Sequence, residues 1–267
     1  MFSTFQDSVL QALLAIKPRH SPYQLIRIGG DADGAYLCPD DLEGIDYCIS
    51  PGVFRSKRFE DQLLQGYGIK SVLIDYSVEP NSLETPMMPG QVFLKKWLAP
   101  VAAVDSVTLE SVVHDYCGDS SGDLLLQMDI EGNEYACLAS CPPQILQRFR
   151  IIVLELHLLE NVVRPWRGLG RLVLGALSDL AQTHTCVHLH PNNCQPPVQI
   201  PGTSIDVPQY LECTFLRNDR FDREGWSPPD PEQACVSLPN ALDIINVPSK
   251  PPLWMGPAWS QIGRAHV

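Results

Sequence analysis

LLLQMDIEGNEY, residues 124–135, is the stretch whose reading decides the fold. Leu124–Met128 is a short apolar run, the pattern of a strand buried on both faces of a sheet. Asp129 and Glu131 stand just past it, Gly132 makes a turn, and Glu134 opens a helix, where a carboxylate suits the positive end of the helix dipole. A strand that turns sharply into a helix is the βα unit of a parallel sheet.

The next apolar run, Ile151–Leu156, carries Glu155 and ends on His157. Side chains alternate along a strand, so each pair, Asp129 with Glu131 and Glu155 with His157, points to one side. These four residues are therefore predicted to gather at the carboxyl edge of two adjacent strands. Three carboxylates and an imidazole in one crevice are costly unless they bind a metal, share protons or face water. Further on, Cys186–Leu189 reads as a strand within HLHPNNC, and His190 and Asn193 reach the same edge if it is the neighbouring one. His184 and His188 read as exposed or core-satisfied imidazoles.

Upstream, the apolar run Ile45–Ile49 enters Ser50, Pro51 and Gly52 before a helix over Phe59–Gly66. A glycine at a strand-to-helix turn lets a ligand approach the backbone, and open α/β sheets bind nucleosides beyond the carboxyl ends of their strands. A second run, Ser71–Ile74, ends in Asp75, 23 residues after Gly52. An acid so placed can accept hydrogen bonds from both ribose hydroxyls. Together the two features favour a nucleoside cofactor. The chain has no G-x-G-x-x-G, which argues against a nicotinamide dehydrogenase.

With helices also expected over Glu134–Ser140 and Arg171–Thr183, strands and helices alternate as in a doubly wound, mostly parallel α/β sheet. Gln24–Ile28 and Ala35–Leu37 flank GGDADG and predict an N-terminal hairpin in front of that sheet. Cys186–Leu189 and Leu211–Leu216 have no evident helix between them and predict an antiparallel pair at its edge. Met1–Ile16 lacks a positive leading segment and a small-residue cleavage site, and its apolar spacing reads as an amphipathic helix rather than a signal peptide. Beyond residue 218 prolines become dense, the mark of an irregular extension that wraps a core. The closing IGRAHV matches the translation of a sequencing adapter, so residues 261–267 are expected to be a scar.

The 267 residues carry a net charge of −12, a poor match for phosphate backbones or anionic membranes, so neither nucleic acid nor membrane is expected as a partner. Nine cysteines occur singly, with no C-x-x-C pair, as buried reduced thiols of a cytoplasmic protein do.

The order GGDADGAYLCP, SPGV…FE, a strand ending in Asp75, TLESVV, LLLQMDIEGNEY, VLELH and HPNN resembles the FkbM-type methyltransferase family. DIEGNE looks like that family's D-x-E-G-x-E motif, and the likeness runs over about residues 24–216. SPGVFRSKRFE departs from the usual D-x-G-x-x-x-G opening in having a single glycine. The resemblance implies a Rossmann-like fold that uses S-adenosylmethionine. Gly52, Asp75 and Asp129 would then line the cofactor, with Glu60 nearby, and Asp129 and Glu131 would face the junction of cofactor and substrate. The division it implies is a helix over 1–23, the methyltransferase domain over 24–218, a proline-rich extension over 219–260 and the scar.

Methyl transfer to a hydroxyl needs the nucleophile held in line with the methyl group, and a base or a Lewis acid helps a weak nucleophile. Asp129, Glu131, Glu155 and His157 are the catalytic candidates. Asp129, Glu155, His157 and His190 could alternatively hold magnesium or manganese, which suit oxygen-rich ligand sets. The expected acceptor is a sugar or another small molecule; the oligomeric state cannot be read from sequence. Two rival readings use the same residues: a metal-dependent hydrolase, and a non-catalytic relative that only binds the cofactor.

Overall fold

Strands that are apolar along their whole length form where both faces of a sheet are covered. The runs singled out above behave in this way: Leu124–Leu126 and Met128, Val72–Ile74 and Phe149–Leu156 are all buried. They belong to a mixed α/β fold built on a large, mostly parallel sheet. The computed structural model describes residues 13–118, 120–163, 168–200, 205–227, 236 and 238–255. The chain divides into two units, Tyr23–Leu154, and Met1–Pro22 with Glu155–Val267.

The first unit opens with an antiparallel hairpin, β1 (Leu25–Ile28) and β2 (Tyr36–Pro39), in which Ile28 stands opposite Tyr36. There follow β3 (Ile45–Pro51), α1 (Arg58–Tyr67), β4 (Lys70–Ile74), β5 (Gln91–Leu94), the short β6 (Trp97–Leu98) and β7 (Ser106–Val107), α2 (Leu109–Cys117), β8 (Asp123–Met128), α3 (Glu134–Ser140) and α4 (Pro143–Leu146). The strand β9 (Phe149–Leu156) ends two residues into the second unit. Within the sheet the order β9-β8-β3-β4-β5 is parallel at every step. The chain thus builds outward from β3 through β4 to β5, then returns to the other side of β3 to lay down β8 and β9. Strand order reverses between β3 and β8, and a crevice opens at the carboxyl ends of strands at such a reversal.

Among the elements of this unit that the sequence pattern does not announce are β5 and α2. The short strand β5 lies among polar and proline residues. The helix α2 starts from a capping box in which Thr108 accepts from Ser111 N and Ser111 Oγ accepts from Thr108 N, both at 3.1 Å.

The second unit contains α5 (Gly168–Thr183), β10 (His184–Pro191), the short pair β11 (Val198–Gln199) and β12 (Asp206–Val207), and β13 (Leu211–Arg217). The strands β10 and β13 pair antiparallel from His184↔Arg217 to Pro191↔Leu211, with a bulge between Cys186 and His188. On α5 the buried residues Val173, Ala176, Leu177 and Leu180 recur at three- and four-residue spacing, one face of a helix.

Of the expected N-terminal helix, residues 13–15 are helical and Leu13 is buried. Residues 16–23 are described and are not helical, while residues 1–12, Cys235, much of the proline-rich extension and residues 261–267 lie outside the described residues. Among the described residues, no helix is long and apolar enough to cross a membrane.

Candidate functional site

The carboxyl ends of β3, β4 and β8 are knitted together by backbone bonds. Gly52 N donates to Ile74 O at 2.9 Å, and Asp129 N donates to Pro51 O at 3.1 Å. Gly52 has φ of +88°, and a Cβ built there would stand 1.6 Å from the carbonyl oxygen of Asp129. The glycine is demanded by the neighbouring backbone, so the loop and the end of β8 close onto each other.

Asp75 is buried at the end of β4 and its carboxylate is already in use. Oδ2 accepts Phe54 N at 2.8 Å, and Oδ1 accepts Ser77 N at 2.7 Å and Ser77 Oγ at 2.6 Å. A carboxylate offers about four acceptor positions, so one remains beyond these three donors. The acid both ties down the loop after β3 and keeps capacity for a donor such as a hydroxyl.

Glu60 lies in the first turn of α1, only 2% exposed, and is hydrogen-bonded to Ser50 Oγ. Ser50 Oγ also lies 2.6 Å from Gln127 Oε1. From there Gln127 Nε2 reaches Tyr36 Oη at 3.5 Å, and that hydroxyl reaches Asp129 Oδ2 at 3.4 Å. Burial pushes the Glu60 carboxyl up to about 7, despite the hydrogen bond from Ser50 and the charge of Lys57. Glu60 is thus linked to Asp129 through three intermediaries, Ser50, Gln127 and Tyr36.

The turn after β8 is built by its own motif. Glu134 Oε1 accepts Ile130 N at 3.0 Å and Gly132 N at 3.1 Å, and Gly132 takes φ of 106°, which suits glycine. Glu131 is exposed in the left-handed region, with φ of 58°. Strand alternation does not reach it, because β8 ends at Met128. The expectation that Glu131 points with Asp129 therefore fails in its premise.

In the second unit Glu155 and His157 are buried. Glu155 Oε1 accepts Asn192 Nδ2 at 2.8 Å. The Nδ1 of His157 lies 3.1 Å from the Glu155 carbonyl, and its ring meets Tyr210 edge-on at 5.1 Å. A carbonyl only accepts, so Nδ1 carries hydrogen and Nε2 is the basic nitrogen of the neutral ring.

His190 and Asn193 serve a different purpose from the one expected. His190 Nε2 donates to Asn246 Oδ1 at 3.1 Å, and His188 Nε2 donates to Asp243 Oδ1 at 2.8 Å. Asn193 Oδ1 accepts Val247 N at 2.8 Å, while its Nδ2 donates to Val247 O at 2.9 Å. These residues hold segment 243–251 against β10. Burial opposes the charge of Asp243, yet hydrogen bonds from His188 and His190 hold it well below the ordinary carboxylate range. Burial likewise opposes the charge of His190, but Asp243 and Glu212 raise it. His190 as a metal ligand is accordingly displaced by its role as an anchor. Of the eight described cysteines seven are buried and Cys194 is half-buried.

In open parallel α/β sheets, ligands bind at the carboxyl ends of the strands where strand order reverses. The family described as Methyltransferase FkbM domain matches residues 74–168 of the chain. The match takes in Asp75, Asp129, Glu155 and His157, stops short of Gly52, Glu60 and His190, and supports a methyltransferase. No curated protein matches the chain. Among solved structures, a variant of the 16S rRNA (adenine(1408)-N(1))-methyltransferase from Catenulisporales acidiphilia with cosubstrate SAM is 11% identical, with a TM-score of 0.33, covering 77% of this chain and 99% of that one. A second structure of that enzyme is 9% identical, with a TM-score of 0.29, covering 72% and 98%. At these scores the likeness assigns no residue and no substrate.

The exclusion of nucleic acid as a partner, which rested on the acidic net charge alone, is withdrawn. Net charge sums over a whole surface and does not report the field in one cleft.

Proposed function

We propose that this protein is an S-adenosylmethionine-dependent methyltransferase of Rossmann-like topology that methylates a hydroxyl oxygen, such as that of a sugar. The observation that carries the reading is the buried Asp75 carboxylate at the end of β4, beside the β3 loop, with an acceptor position beyond its three protein donors. A ribose hydroxyl is the donor that fits it. When bound, S-adenosylmethionine supplies a methyl group on a sulfonium. The chain's own work is to hold the acceptor in line and to take its proton. Asp129, Glu155 and His157 are the proposed bases, and His157 suits the task through Nε2, since Nδ1 is committed to the Glu155 carbonyl. Glu131 is retained only as a lining residue of the turn.

Calorimetric titration with S-adenosylmethionine and S-adenosylhomocysteine, with and without magnesium, tests the proposal. One-to-one binding is expected, weakened in Asp75→Asn by about 5- to 150-fold, the equivalent of about 1–3 kcal/mol for a lost charged hydrogen bond. A wild-type protein that binds neither compound would end the reading.

A further inference from the structure

Phe54 sits in the loop between β3 and α1 and breaks two rules at once. Its backbone is left-handed, with φ of 45°, a region that bulky L residues rarely adopt. The residue is 61% exposed, so apolar surface that a core would bury faces water. Among the described residues the one ring partner recorded for it is the Arg55 guanidinium, 5.5 Å from the ring centroid. Glycine at this position would relieve the backbone and remove the exposed ring together. A residue unfavourable on both counts points to a role outside folding, since backbone strain of this kind collects at ligand-binding sites.

The position says what that role is. The backbone N–H of Phe54 donates to Asp75 Oδ2 at 2.8 Å, so the left-handed conformation is held in place by the same carboxylate that has an acceptor position left for a hydroxyl. The side chain leaves the backbone one bond away from that N–H. The ring is therefore carried by the residue whose own backbone binds the Asp75 carboxylate. The residues around it do not pull the ring inward: Val53 is buried, and Phe54 and Arg55 are exposed.

We propose that Phe54 is a ligand-contact residue, its ring closing over the ribose and base of the nucleoside cofactor that Asp75 holds. The proposal rests on the cofactor reading above. The exposed aromatic face then becomes buried on binding, and a flat π surface suits a nucleobase or the apolar face of a ribose. The loop is preset for this by its bond to Asp75 rather than ordered by the ligand, which lowers the conformational cost of binding.

The test uses the full-length protein and S-adenosylhomocysteine as the probe, with thermal unfolding read on the same samples. Phe54→Gly is expected to bind about tenfold more weakly, and its melting temperature is expected to rise by about 1–4 °C, because the left-handed backbone is no longer strained. Phe54→Tyr, which keeps the ring, is expected to bind within about threefold of wild type. A purely structural ring would instead lower stability when removed. Wild-type-like affinity in Phe54→Gly, with wild type binding normally, overturns the inference and leaves the cofactor reading standing. A fall in melting temperature also overturns it, because the ring would then be packed on protein. Absence of binding by wild type overturns both.

Discussion

Replacing Glu60 with glutamine is expected to remove a specific pH dependence from this protein's stability. The argument begins with hydrogen counting. Ser50 Oγ lies between a Glu60 oxygen and Gln127 Oε1, and a hydroxyl has one hydrogen to give. Gln127 is oriented with Nε2 toward Tyr36, which leaves the tyrosine hydrogen for Asp129. Every member is satisfied only when Glu60 carries a proton and donates it to Ser50, which then donates to Gln127. Burial favours the same state, raising the Glu60 carboxyl from 4.5 to about 7. Between those values the folded protein holds a proton that the unfolded chain has lost, so unfolding releases it. The contribution is fully present below 4.5 and is lost as pH rises through about 7. At about 1.4 kcal/mol per tenfold in proton affinity, the loss between about pH 5 and pH 8 is about 2–3 kcal/mol. That corresponds to roughly 5–10 °C in melting temperature for a chain of this size.

The assay is thermal unfolding of wild type and Glu60→Gln across that range. The quantity read is the difference between the two proteins, in which the titrations of His190 and Asp243 cancel. Glutamine keeps a donor for Ser50 and does not titrate, so the gap should change by the stated amount, with wild type losing ground as pH rises. Parallel curves for the two proteins would refute both the protonated Glu60 and the network built on it.

Three other outcomes follow from the geometry. Gly52→Ala should be destabilised by more than about 3 kcal/mol, since its Cβ would collide with the Asp129 carbonyl; soluble protein melting as wild type does would contradict this. Asp243→Ala leaves His188 and Asn240 N without their acceptor and should cost about 3 kcal/mol. Limited proteolysis should then cut within 238–251 sooner than in wild type. Thiol titration of the native protein should find Cys194 reactive, while Cys117, pushed up to about 11 by burial, and Cys137 and Cys141, pushed up to about 12, react only on unfolding.

Much of the architecture was legible in the residues. The six strands expected from short apolar runs are all present, because burial on both faces leaves an unmistakable composition. Glu134–Ser140 was bounded correctly because its turn is coded locally by Gly132 and the Glu134 carboxylate. The strand β5 was missed because four residues among prolines and lysines carry no period. The helix α2 escaped notice because its capping box uses Ser111 where the usual signature has glutamate or glutamine.

The candidate site divides along the same line. Sequence by itself determined which acids end which strands, since strand length and the turn residues that follow are local properties. Only the tertiary structure decided what each polar group does. It set Gly52 against the Asp129 carbonyl, buried Glu60 beside Ser50, and made His190 an anchor for the later segment. It also singled out Phe54, which no pattern marks. Those assignments depend on what lies opposite a side chain across tens of residues of sequence, and a local pattern holds no record of that.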